Sequence, residues 1–221
     1  MTDLAQHSAT PPSAPAHRHV RCLVVAMAAG LAAGAVTAFA QGGVLPEVLA
    51  PLANSHGPWA LVAFALALAA PAARTGGLTG MLALACMLVG YVLTNDARGF
   101  PSSSAMMLYW GLAAVVAGPV LGVGAHWLRH RQGVRAALGT AAMASVLIGE
   151  GLYGLTVVAA TTPVAYWWGE IVVGALGLAW VCALRLSRAV TIIEAVVCTA
   201  VVSALFPLAT FYGADLMRML P

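Results

Sequence analysis

Three carboxylates, Glu150, Glu170 and Glu194, stand inside otherwise apolar runs of this sequence. A charged side chain at the centre of a membrane helix costs about 2.5–3.5 kcal/mol on insertion scales. Such a residue should face protein or water, and it marks a candidate site. Glu150 is the most demanding of the three. It lies in "IGEGLYGL", between Gly149 and Gly151, with Tyr153 at i+3 and Gly154 at i+4. Glycines this dense weaken a helix and let another element approach its backbone. Glu170 shares a helical face with Gly174 and Gly177. Setting these smooth faces together would bring both carboxylates into one crevice, a site for a cation, an amine or a proton. The competing reading is a protonated Glu150 hydrogen-bonded across helices to groups of the Tyr153 type. Glu194 can reach the cytoplasmic interface or pair with Arg185 or Arg188, and is read as structural.

Gln41 joins Glu150, Glu170 and Tyr153 as a candidate ligand or proton-site residue, because it continues the small-residue face of the first apolar stretch. Trp110, Trp167, Trp168 and Asn95 form a candidate outer rim. The aromatic members of that rim, with Trp59, Tyr109 and Tyr166, also fit an interfacial anchor belt.

Other chemistries are excluded or disfavoured. All ten basic residues are arginine, so no lysine Schiff base can form. There is no HExxH, GxSxG or phosphate-binding loop. No histidine lies deep in an apolar stretch, which excludes a bis-His haem. His126 and His130 are spaced i, i+4 but lack a third ligand, so interfacial solvation is expected of them. Cys22, Cys86, Cys182 and Cys198 read as buried hydrophobes rather than disulfide partners. No catalytic residue, metal or cofactor is expected, and an enzyme is the least favoured class. With no basic stripe, nucleic acid is not an expected partner.

The elements that must position these residues follow from composition. The 221 residues are 62% hydrophobic and 8% charged, with a formal charge of +3 and a mean hydropathy of +0.92. A soluble domain carries about 25% charged residues, so most of this surface must face lipid. Seven apolar stretches, at 20–40, 56–73, 76–95, 105–125, 136–160, 166–184 and 189–213, are each read as long enough to cross about 30 Å of hydrocarbon. The fold class is therefore an all-α polytopic transmembrane bundle of seven helices. Residues 1–19 read as a disordered cytoplasmic tail, 20–213 as the bundle and 214–221 as a short extracytoplasmic tail. An N-in, C-out topology puts eight of the ten arginines inside, leaving Arg98 and Arg218 outside.

Ala26, Gly30, Gly34 and Ala38 recur every fourth residue on the first stretch, a flat stripe for close helix packing. A cleavable signal peptide has no need of such a stripe, so the first helix is retained despite an "AFA" resembling a cleavage site. Gly154, Gly174 and Gly177 are expected to pack similarly. A weak repeat also runs through the chain after the first helix: Trp59…Arg74…Tyr91, Trp110…Arg129…Tyr153 and Trp168…Arg185…Tyr212.

Three segments, "LANSHGPWALVAF", "GFPSSSAMMLYWGLAAVVAGPVLGVGAHWLR" and "IGEGLYGL", occur in this order. Together they resemble a family of uncharacterised integral membrane proteins from actinobacteria, over about residues 22–213. The resemblance implies membrane location and architecture, and no chemistry. The expected function is small-solute binding or transport in a bacterial plasma membrane, through an outward-facing crevice around Glu150. With no ATPase of its own, the protein would be proton-linked or would serve a separate energising complex. The rival is a structural or regulatory protein that assembles with a membrane partner through the Ala26–Ala38 stripe.

Overall fold

In the computed structural model, residues 15–219 are described, with side chains through Gly213. Every regular element among them is helical. They are α1 (Ala16–Ala40), a 3₁₀ turn (Glu47–Ala53), α2 (His56–Ala67), α3 (Ala73–Ala97), α4 (Ser104–His130), α5 (Val134–Tyr153), α6 (Val164–Arg185) and α7 (Ala189–Met219). Helix α5 ends in a π turn over Gly154–Val158. Six helices are long and apolar enough to cross a membrane. Large side chains such as Val36, Val116, Leu176 and Leu205 point outward. The protein is a multi-pass membrane protein whose outer surface is built for lipid.

The second predicted stretch, 56–73, behaves differently. Its helix has only 12 residues, about 18 Å at 1.5 Å per residue. It is wrapped by its neighbours, with Ala60, Ala63, Phe64 and Ala67 buried. Two further boundaries differ from the sequence expectation. Helix α1 starts at Ala16, inside the predicted tail, and α7 runs on to Met219 where the bundle was expected to end at 213. The rest of the predicted N-terminal tail, residues 1–14, and residues 220–221 lie outside the described residues.

The Ala26–Gly30–Gly34–Ala38 stripe supplies all four buried residues of α1. It packs on α3 of the same chain. A Cβ at Gly30 would come within 2.6 Å of the Ala83 carbonyl oxygen, and one at Gly34 would strike the Met87 backbone. The expected packing face is therefore present, but it is consumed within the chain and is not free for a partner. Its register is informative. His19 meets Thr75, Cys22 meets Thr79, Gly34 meets Met87 and Tyr91, and Arg98 reaches the Ala38 carbonyl. Helices α1 and α3 thus run parallel, and α2 carries the chain back between them. Helices α5 and α7 are also parallel, since Ser145 and Gly149 face Ser203 and Phe206. The recurring arrangement is thus a parallel pair on either side of α4 rather than the three hairpins of the sequence pattern.

Glycine also sets the α3–α4 contact, where Gly76 and Gly80 lie against Gly122 and Gly118. Gly154 lies against the Trp167 ring and Gly174 against Leu147 and Ile148, as expected. Gly177 does not pack: a Cβ there would meet nothing within 4 Å. The arginine-bearing helix ends gather at one end of the bundle. Arg129 donates to the Leu68 carbonyl (3.1 Å), Arg185 to that of Leu128 (3.0 Å), and Arg135 lies over the Trp127 ring.

Candidate functional site

The site is built on the N-terminus of α2, where the first backbone N–H groups of the helix have no partner within it. Ser55 precedes the helix but does not cap it. Glu150 of α5 does so instead, from 94 residues away along the chain. Its Oε1 accepts from the His56 backbone N–H (2.6 Å) and its Oε2 from the Gly57 N–H (2.5 Å). A carboxylate in this position satisfies both donors and meets the positive end of the helix dipole. His56 Nδ1 lies 2.6 Å from the same Oε1, within hydrogen-bond distance. With a carboxylate as acceptor, Nδ1 carries the proton and Nε2 is left free. Glu150 is 2% exposed. Its presence in an apolar run is explained by these three hydrogen bonds.

Glu170 arrives from α6 on the same feature. Its Oε1 accepts from Ser55 Oγ (2.9 Å) and from Tyr166 Oη (3.0 Å), one turn back on α6. Its Oε2 is buried with no partner. The two carboxylates bracket Gly57. A Cβ there would sit 2.5 Å from Glu170 Oε1 and 3.2 Å from Glu150 Oε2. Glycine is required because no side chain fits between α2 and both acids.

On the other side of α2 lies a cavity of about 240 Å³, lined by Thr37, Gln41, Asn54, Ser55, Trp59, Tyr91, Met106 and Trp110 among others. Trp59, Tyr91 and Trp110 form an aromatic wall, with Trp59 6.2 Å from each of the other two rings. A smaller cavity of about 100 Å³ continues inward from Trp59 and Trp110 to the His56 ring and Phe206. Towards the end opposite the arginine cluster, a vestibule of about 450 Å³ reaches Asn95, Arg98 and Ser103. Gln41 stands at the mouth, exposed, and holds it in shape. Its Nε2 donates to the Ala53 carbonyl (3.0 Å) and to Asn54 Oδ1 (2.7 Å), and its Oε1 accepts from Tyr91 Oη (2.7 Å).

The structure thus brings Glu150 and Glu170 near one another, but buried beside the cavity rather than in a shared crevice, and places Gln41 and Trp110 on that cavity. Asn95 lines the vestibule. Other expectations require correction. Tyr153 makes no hydrogen bond to either acid; the tyrosine that does so is Tyr166, because it is Glu170's own helix that turns this ring inward. Trp167 is buried against Gly154 and donates to Thr162 (2.8 Å), away from the cavity. Trp168 is 55% exposed and faces outward, the only rim aromatic that fits a lipid anchor. His126 is buried and bonded to the Ala70 carbonyl (3.0 Å) rather than solvated. Glu194 pairs with neither Arg185 nor Arg188, and its Oε2 has no partner.

Ser55, His56 and Tyr166 were missed by the sequence reading. The signal for the first two lay in "LANSHGPWALVAF", where a Ser-His-Gly start to a helix offers unsatisfied backbone donors that a distant acid can cap. No curated protein and no solved structure matches the chain. Its family is shown by a model that matches residues 13–213. The chain belongs to the Family of unknown function (DUF6518), and the buried acid pair at the α2 N-terminus lies within the matched region.

Proposed function

We propose that the protein binds or transports a small solute in a bacterial plasma membrane, with solute occupancy linked to a proton on the Glu150–Glu170 pair. One observation carries this reading: a polar and aromatic cavity inside the bundle is lined by Ser55, whose hydroxyl donates to the buried Glu170, with the buried Glu150 across Gly57 from it. Two buried acids on either side of Gly57, one of them bonded to an imidazole, can hold a proton as a coupled group. Ser55 links the two sides, since its hydroxyl lines the cavity while donating to Glu170.

In this proposal the chain crosses the membrane seven times, N-in and C-out. The parallel packing of α1 and α3 supports that count, because α2 and its flanks must return the chain to the starting end. The gathering of arginines at one end supports the orientation, which makes the cavity mouth face outward. The assembly reading is less well supported, because the stripe that would have met a partner is covered by α3.

Native mass spectrometry of gently solubilised protein tests the proposal. A retained small molecule, lost when Trp110→Ala disrupts the cavity wall, is the expected result. A solute-free protein that carries a stoichiometric membrane partner would overturn it. Glu150→Gln is a poor discriminator, since it breaks the α2 cap whatever the function; Glu170→Gln separates the roles.

A further inference from the structure

We propose that the cavity takes a small organic ammonium ion, admitted in exchange for a proton on Glu170. This rests on the solute-binding reading above and names the class of solute. The polar lining is neutral and offers several unused acceptors, beside the donors of the Asn54 amide and the Trp110 indole. Ser55 Oγ and Tyr91 Oη each spend their proton on an internal bond and keep lone pairs, and Gln41 Oε1 accepts only one bond. An ammonium group brings donors and needs acceptors. The walls include Trp59, Tyr91 and Trp110, the ring types that attract a desolvated cation. No arginine lines this chamber, although Arg98 lines the adjoining vestibule, and Ser55 joins the chamber wall to the Glu170 carboxylate.

The proton has a defined place. Of the four carboxylate oxygens, three accept hydrogen bonds and the fourth, Glu170 Oε2, accepts none although it is buried. It is the one oxygen of the pair with no hydrogen bond to compete with a proton. Glu170 faces Glu150 from α5, Gly57 from α2, Ser55 just before α2, and Tyr166 from its own helix. When the acid is protonated, the wall behind the cavity carries one negative charge fewer. When a cation enters, the carboxyl O–H bond breaks, the proton leaves to water at the mouth, and the carboxylate balances the ammonium charge across Ser55. One positive charge enters for each proton released.

The test uses the full-length protein in nanodiscs of phosphatidylglycerol, which carry no amine, titrated with n-propylammonium and with neutral propane-1,2-diol and erythritol. Binding is read by calorimetry between pH 5.5 and 8. Propylammonium should bind, with its Kd falling up to tenfold per pH unit as one proton is displaced, and the neutral probes should not. Glu170→Gln should weaken binding at least tenfold and flatten the pH dependence. Ser55→Ala, which leaves the Glu150 cap intact, should also weaken it. Adding phosphatidylethanolamine to the discs distinguishes the source: competition assigns the ammonium to a lipid headgroup, and none assigns it to a free amine.

Binding of erythritol without propylammonium would overturn the ammonium assignment and leave the solute-binding reading standing. Ammonium binding that ignores pH and Glu170→Gln would overturn the exchange. A folded protein that binds none of the probes would overturn both.

Discussion

Replacing Glu150 by glutamine should cost far more than the near-isosteric shape of the side chain implies. Each Glu150 oxygen faces a backbone N–H of α2, from His56 at 2.6 Å and from Gly57 at 2.5 Å. A glutamine has one acceptor oxygen, so either orientation of its amide sets an NH₂ group against an N–H. One hydrogen bond to a charged group, worth about 1.5–3 kcal/mol, is lost. The favourable meeting of an anion with the helix N-terminus, about 0.3–1 kcal/mol, is lost as well. The expected destabilisation is about 2–4 kcal/mol by these values. Glu170→Gln should cost less than about 1 kcal/mol, because the amide can keep its oxygen on Ser55 and Tyr166 and turn its NH₂ to the unpartnered position. Both variants can be compared by reversible unfolding in mixed detergent micelles. Hydrogen exchange supplies a local readout, since the His56 and Gly57 amides should lose protection in Glu150→Gln alone. Equal stability of the two variants, with both amides still protected, would refute Glu150 as the cap of α2.

Other outcomes follow from the same contacts. Gly57→Ala should destabilise the fold by about 1–3 kcal/mol in the same assay, as a Cβ forced between packed groups does. Gly34→Ala should likewise lower the unfolding midpoint, because its Cβ meets the Met87 backbone. Gly177→Ala, which opens onto free space, should change stability by no more than about 0.5 kcal/mol. In a cysteine-free background, Val44→Cys should react with an impermeant thiol reagent from outside intact cells and Gln132→Cys only after lysis. The reverse pattern would invert the proposed orientation and turn the cavity mouth inward.

Composition and periodicity determined a great deal here. A chain this apolar has lipid as its solvent, and the six helices long and apolar enough to cross a membrane among the described residues were legible as apolar stretches without a structure. The four-residue spacing of Ala26, Gly30, Gly34 and Ala38 identified the buried face of α1 residue by residue, because small side chains at that spacing can serve only close packing. The cost of a charge in hydrocarbon singled out Glu150 and Glu170, and the glycines beside them set the two acids near one another. What those acids bind was decided by tertiary structure. Ser55 and His56 lie more than ninety residues from Glu150 and Glu170 along the chain, and no local pattern records such a pairing. Likewise Trp59, Trp110, Tyr166 and Trp167 have the chemistry of interfacial anchors, and only the rotation of each helix in the bundle turned them inward. Local sequence sets which residues share a helix face; the partner that face meets is a long-range contact, fixed when the helices pack.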